Sequence, residues 1–208
     1  MTSKQHYNRR QVDEGPDFYP TPAWATEALL RHVKFQGSIW EPCCGEGDMS
    51  EVLIKAGYKV FSSDKYDRGY GRRQDFLSLT DSYKPFDNIV TNPPFAIAED
   101  VLSHALGLAR RKVCLLLRLA FLETHSRYHR FYSKRPPSRV LVFAERLSMY
   151  PAGDKRTSGG TMAMAWFVWD NGFVGISKPT ILEWIPPGRK PGRRASKTGS
   201  PGIFDASR

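Results

Sequence analysis

Asn92, Pro93, Pro94 and Phe95 follow directly on a run in which Phe86, Ile89 and Val90 give the apolar, partly β-branched character of a short buried strand. Two consecutive prolines end a strand abruptly, because neither can donate to a ladder. A carboxamide at such an end projects from the strand, and Pro93 adds a carbonyl with no N–H beside it. The corner therefore offers two closely spaced oxygen acceptors next to the flat face of Phe95. That arrangement suits a planar aromatic amine, whose N–H groups meet the oxygens while its ring stacks on the phenylalanine. Asn and Pro also favour turns for local reasons alone, so these four residues become informative through what accompanies them.

The elements that must position this corner are legible on both sides of it. Pro20 and Pro22 rule out a helix before Thr21, and Ala23 to Val33 reads as one, with Thr21 as its cap and Pro22 as its first residue. Ser38 to Cys43 is a short apolar strand running into Gly45-Glu46-Gly47. A helix is expected from Met49 to Ala56, stopped by Gly57. Tyr58 to Asp64 is a second strand with an acid at its end, about 20 residues past the glycine turn, where a carboxylate can accept from both hydroxyls of a ribose. Asp75-Phe76 opens a third short strand or turn after the basic segment RGYGRR.

The pivotal strand then leads to a helix from about Ile97 to Arg110 and to the most apolar run of the chain, from Val113. Arg139 to Tyr150 starts as a strand, and Thr161 to Asp170 and Thr180 to Ile185 read as closing strands. Strand and helix alternate, so a largely parallel sheet with helices on both faces is expected. Ligands of such sheets bind outside the carboxyl ends of the strands, where Gly45, Asp64, Asp75 and Asn92 all fall.

Composition bounds the rest. The chain has 208 residues, 40% of them hydrophobic, and a mean hydropathy of -0.47. No apolar run is long enough to span a membrane, and the polar start lacks a signal-peptide core, so a cytoplasmic protein is expected. Cys43, Cys44 and Cys114 have neither disulfide nor metal-ligand spacing and read as buried, reduced thiols, with no metal expected. Lys and Arg number 31 against 21 Asp and Glu, a net +10 that points to a polyanionic partner.

The basic charge concentrates between Arg110 and Arg139, where nine Lys or Arg face the single acid Glu123. Tyr128, His129, Phe131 and Tyr132 are interleaved, a mixture of cations and flat rings that grips phosphates and bases. Arg118, Arg127, Arg130, Lys134 and Arg135 are its candidate nucleic-acid contacts. Residues 1–15 are expected to be a loosely held segment, 16–185 one folded domain, and 186–208, rich in Pro, Gly, Ser and charge, a disordered basic tail.

The set DFYPTP, EPCCGEG, DFL and TNPPF resembles motifs X, I, III and IV of the S-adenosylmethionine-dependent amino-methyltransferases. Their order is that of N6-adenine DNA enzymes and their small phage-type relatives. The resemblance spans about residues 17 to 170. It implies a Rossmann-like class I methyltransferase fold, α/β, with a mostly parallel sheet of seven strands, the last antiparallel. It also implies S-adenosylmethionine as cofactor, held by Tyr19, Pro20 and Thr21 and by the turn with Glu41, Pro42, Cys43, Gly45 and Gly47. Asp64 would hold the cofactor's ribose, and Asp75 with Phe76 its adenine ring.

The chemistry expected of the corner is then specific. The exocyclic nitrogen of adenine is a poor nucleophile because its lone pair is delocalised into the ring. Hydrogen bonds from both its hydrogens to the Asn92 side-chain oxygen and the Pro93 carbonyl favour a pyramidal nitrogen with the lone pair outward. The rest is in-line placement, with no metal and no covalent nucleophile. Phe95 would stack on a base flipped out of a duplex, with Phe131, Tyr132 and Tyr150 as equal candidates for its second face. The Pro42-Cys43 pair lies in the glycine turn, not where Asn92 sits, which rejects a cytosine C5 mechanism. A missing third glycine, with Asp48 next in line, disfavours a nicotinamide enzyme. RNA bases and protein glutamine are the alternative targets, and a non-catalytic nucleic-acid-binding protein is the alternative of another class.

Overall fold

Ile39–Glu41 (β1) is only three residues long, and all three are buried. A strand that short and that dry belongs at the centre of a sheet covered on both faces. In the computed structural model, which describes residues 18–79, 86–149, 162–171 and 179–187, β1 pairs in parallel with Val60–Asp64 (β2) on one side and Phe86–Thr91 (β4) on the other. Arg72–Arg73 (β3) flanks β2, and Ala109–Arg118 (β5) flanks β4, both parallel. Met164–Asp170 (β7) runs antiparallel between β5 and Arg139–Phe143 (β6), and Ile181–Ile185 (β8) lies parallel to β6. The order across the sheet is β3-β2-β1-β4-β5-β7-β6-β8.

Helices cover both faces, as expected. Ala23–His32 (α1) and Asp48–Lys55 (α2) pack on one face against Cys114 and Leu116 of β5 and Trp166 and Val168 of β7. The intervening residues Val113, Leu115, Phe167 and Trp169 point to the other face, covered by Ala98–Leu108 (α3). This period-two alternation between two cores is what a doubly covered sheet requires.

Two local expectations are corrected and a third is narrowed. The sheet has eight strands rather than seven, while the expected antiparallel strand is present as β7. β7 is buried along nearly its whole length and needs a neighbour on each side, whereas β8, with Ile181, Leu182 and Trp184 exposed, serves as the edge. Of the strand or turn expected at Asp75-Phe76 the structure has the turn: Phe76–Ser78 is a 3-10 turn, capped by the Asp75 side chain, which accepts from the Leu77 N–H. The third strand is formed by the two exposed arginines of β3, which have no apolar pattern to read. Finally, Thr21 does not cap α1. Pro22 holds the cap position and no side chain bonds there. The expected segment 1–15, Tyr150, the loop 151–160 and the tail beyond residue 187 lie outside the described residues.

Candidate active site

The carboxyl ends of β1, β2 and β4 carry Glu41, Asp64 and, one residue beyond β4, Asn92. Between β1 and α2 the chain turns through Gly45 at φ 55 and Gly47 at φ 93, the left-handed region where glycine is favoured. A Cβ on Gly45 would stand 2.2 Å from Phe18 Cε2, and one on Gly47 2.6 Å from Tyr70 Cδ2. Asp64 holds this turn. Its Oδ2 accepts from the Gly45 N–H at 2.9 Å and its Oδ1 from the Tyr66 N–H at 2.9 Å. Each oxygen keeps a further lone pair for a hydroxyl donor.

Beneath the turn, Glu41 is 2% exposed. Burial pushes its carboxyl well above the ordinary value, Ser50 opposes the shift by donating a hydrogen bond, and the Asp48 charge adds to it. Burial likewise pushes the thiols of Cys43, Cys44 and Cys114 upward, Cys44 to about 12. All three are free cysteines, and thiols held that high supply no thiolate nucleophile. On the far side of β2, Lys65 donates to Asp75 at 2.9 Å. That hydrogen bond, with one from the Leu77 N–H, holds the Asp75 carboxyl below its usual range. Phe76 is buried edge-on against Trp40 at 5.1 Å and His104 at 4.9 Å.

At the corner, the Asn92 side-chain nitrogen donates to the Tyr19 carbonyl at 3.3 Å and to Thr21 Oγ1 at 3.1 Å. A carbonyl can only accept, so the amide nitrogen must face Tyr19 and the amide oxygen must point the other way. That oxygen, Asn92 Oδ1, is buried and has no partner among the described residues. A buried acceptor without a donor is costly, and the residue that carries it is part of the cleft wall. Phe95 stands beside it, with its ring 5.9 Å from Tyr19 and the Arg118 guanidinium 4.3 Å above it.

One cleft of about 220 Å3 joins these groups. Of the residues expected from sequence, Tyr19, Thr21, Glu41, Pro42, Cys43 and Asp64 line it. So do Asp75, Phe76, Asn92, Pro93, Pro94 and Phe95. Pro20, Gly45 and Gly47 shape the neighbouring backbone without lining it. Sequence reasoning missed Phe18, Tyr66, Leu77 and Ile97, which also line it. Tyr66, Leu77 and Ile97 are large apolar side chains 36–40% exposed, a property of the folded surface with no trace in spacing. Phe18 was within reach, since it sits inside the DFYPTP segment.

The basic stretch is brought together differently from its appearance in sequence. Arg127 donates to Glu99 at 2.9 Å and to the carbonyls of Ala120 and Glu123, and it stacks 4.6 Å over Phe121. Arg130 pairs with Glu99 and Asp100. Arg135 donates to the Leu106 carbonyl and to Asn171. Lys134 is exposed, and Arg118 is the one that reaches the corner. Phe131 is 5% exposed and packed in the core, and the Tyr132 hydroxyl donates to the Phe121 carbonyl, so neither is free to cover a base. Among the described residues no group of three or more His, Cys, Asp or Glu could hold a metal ion, and no helix is long and apolar enough to cross a membrane.

The strand order, the interior antiparallel strand and the cleft at the carboxyl ends of β1, β2 and β4 define a Rossmann-like class I methyltransferase fold. No protein-family model and no curated protein matches the sequence. Solved structures do. A protein of Listeria monocytogenes assigned as a class I S-adenosylmethionine-dependent methyltransferase superposes with a TM-score of 0.50 at 13% identity, over 79% of this chain and 62% of that one. A Pyrococcus horikoshii protein assigned as an RNA methyltransferase gives 0.51 at 16%, over 73% and 85%. A modification subunit assigned to a type I restriction enzyme of Vibrio vulnificus gives 0.52 at 14%, over 85% of this chain and 48% of that one. The chain thus spans less than two thirds of the Listeria protein and about half of the Vibrio one, and at these identities the likeness is one of fold.

Proposed function

We propose that the chain transfers a methyl group from S-adenosylmethionine to the exocyclic N6 amine of adenine in DNA. The observation that carries this reading is the Asn92 carboxamide, whose nitrogen is tied to Tyr19 and Thr21 and whose buried oxygen has no donor. An amine N–H placed at that oxygen satisfies it, and the Pro93 carbonyl can take the second hydrogen. Both bonds draw the nitrogen toward a pyramidal geometry and free its lone pair. Phe95 gives the ring a stacking face.

The residues present also fit the cofactor. The tight turn through Gly45 and Gly47, the spare lone pairs of Asp64 and the half-exposed apolar rim of Tyr66, Leu77 and Ile97 suit an adenosine. S-adenosylmethionine supplies a methyl group already activated by its positive sulfur. The protein needs only to align nitrogen and methyl, which is a matter of positioning. With the cofactor bound, the nitrogen would take the methyl carbon as the carbon–sulfur bond breaks, and the cationic nitrogen would then lose its extra proton to water, because the Asn92 and Pro93 oxygens accept hydrogen bonds but are too weakly basic to keep a proton.

The test is transfer of a labelled methyl group to duplex DNA, single-stranded DNA, RNA and protein in parallel, with Asn92→Ala as control. Label in N6-methyladenine from DNA, lost in the variant, is the expected result. Label in RNA or in protein glutamine keeps the chemistry and overturns the substrate. Cofactor binding with no transfer anywhere favours a non-catalytic binding protein.

A further inference from the structure

We propose that the Arg118 guanidinium is the second plane of the slot that takes the target base, facing Phe95 across it. This rests on the methyl-transfer reading and deepens it, because it says what holds the flipped base from its other side. Arg118 is the last residue of β5 and stands at the same end of the sheet as Asn92, next to the end of β4. Its guanidinium carbon lies over the Phe95 ring, 4.3 Å from its centre, and not at a carboxylate. Arg111, Lys112, Arg127, Arg130 and Arg139, from the same basic stretch, are matched by acids elsewhere in the fold. Arg118 is exposed and, among the described residues, its side chain makes no hydrogen bond or ion pair. Its geometry is set by the phenylalanine.

A guanidinium is flat, delocalised and weakly hydrated, so it stacks on a nucleobase as it does on a phenyl ring. A base between two planes needs them about 7–8 Å apart, twice an ordinary carbon contact. The guanidinium therefore withdraws by about 3 Å, a rotamer change that an exposed side chain makes on a timescale of about a nanosecond. One ring contact is exchanged for two. The N–H edge of the group is then available to the phosphate beside the flipped nucleotide, so the same residue meets the base with its face and the backbone with its edge. Purely aromatic slots need a separate cation for that second task.

The experiment compares the affinity of the full chain, with S-adenosylhomocysteine present, for a short oligodeoxyadenylate and for an abasic strand of the same length. The two ligands share their phosphates and differ only in the base. The wild type is expected to prefer adenine by roughly tenfold to a hundredfold, the range of one stacked base. Arg118→Ala should reduce that preference about tenfold, and no further loss should follow when Phe95→Ala already carries it. Arg118→Lys should keep the affinity for the abasic strand and lose the preference, while Arg118→Tyr should restore the preference and make the slope of log affinity against log salt shallower by about 0.7, the share of one phosphate contact on a single strand. Unaltered melting temperatures would confirm that the variants fold. A wild type indifferent to the base, or an Arg118→Ala variant with full preference, overturns the proposal. Asn92-dependent methyl transfer with full preference in Arg118→Ala would leave the reaction standing and remove only this role. Preference lost in the variant without transfer by the wild type would do the reverse.

Discussion

The side-chain nitrogen of Asn92 donates to the hydroxyl oxygen of Thr21 across 3.1 Å, joining residues 71 positions apart in the chain. The segment ahead of α1 and the corner at Asn92 are thereby one unit, and that segment decides which way the carboxamide faces. Thr21→Val removes one of the two acceptors that hold the Asn92 nitrogen. The expected result is a fall in kcat of about two- to tenfold, the worth of one hydrogen bond. Thr21→Ser keeps the hydroxyl and should retain most of the rate. If Thr21 acted only through the cofactor, the KM for S-adenosylmethionine would change and kcat would not.

Gly45 and Gly57 both have positive φ, at 55 and 91, but they differ in surroundings. Nothing lies within 4 Å of a Cβ at Gly57, whereas at Gly45 it would meet the Phe18 ring at 2.2 Å. Gly57→Ala should cost only the left-handed backbone penalty, about 1–2 kcal/mol, with cofactor affinity unchanged. Gly45→Ala adds a clash with a ring of the cleft wall, so it should also weaken S-adenosylhomocysteine binding by calorimetry. Equal binding by the two variants would mean that Phe18 does not shape the site.

Much of this was legible in the sequence because it rests on local rules. The strand ends at Glu41, Asp64 and Asn92, the glycine turn and α1 to α3 all follow from apolar runs broken by Gly or Pro. What escaped depends on partners distant in sequence. Thr21 reads as a helix cap because Thr before Pro and a helix is a good local signal, yet its oxygen is taken by Asn92. The run from Arg110 to Arg139 reads as a basic surface, yet Glu99, Asp170 and Glu183 come from other elements to meet it. Phe131 and Tyr132 read as candidates to cover a base, and the fold turns one into the core and ties the other to Phe121. An interaction between two elements leaves no mark on either one alone.

Glu41 couples stability to pH in the direction set by its raised carboxyl. Above the ordinary Glu pKa of about 4.3 the unfolded chain has lost this proton while the folded chain keeps it. The contribution is thus fully present below that value and declines as pH rises toward the raised folded value. Glu41→Gln removes the titration. Its melting temperature, relative to that of the wild type, should therefore climb as pH rises through that window and level off above it. A difference between the two proteins that is constant with pH would mean Glu41 is ionised in the fold.

Arg127 and Lys134 lie seven residues apart in the basic stretch, and the fold separates their roles. Arg127 is held by Glu99, two backbone carbonyls and the Phe121 ring, with its side chain 23% exposed. Arg127→Ala leaves those acceptors without their charged donor, which should cost about 2 kcal/mol. For a chain of this size that is a fall in Tm of about 4–8 °C. Because the charge is already neutralised by Glu99, the salt dependence of DNA binding should hardly change. Lys134 is exposed, and among the described residues its side chain has no partner. Lys134→Ala should leave Tm within about 2 °C, since surface changes away from packed features stay within about 0.5 kcal/mol. If Lys134 meets a phosphate, the slope of log affinity against log salt should become shallower by about 0.9. Measuring Tm and salt slope on both variants separates the two roles, because a residue that only braces the fold moves the first and a residue that only touches phosphate moves the second.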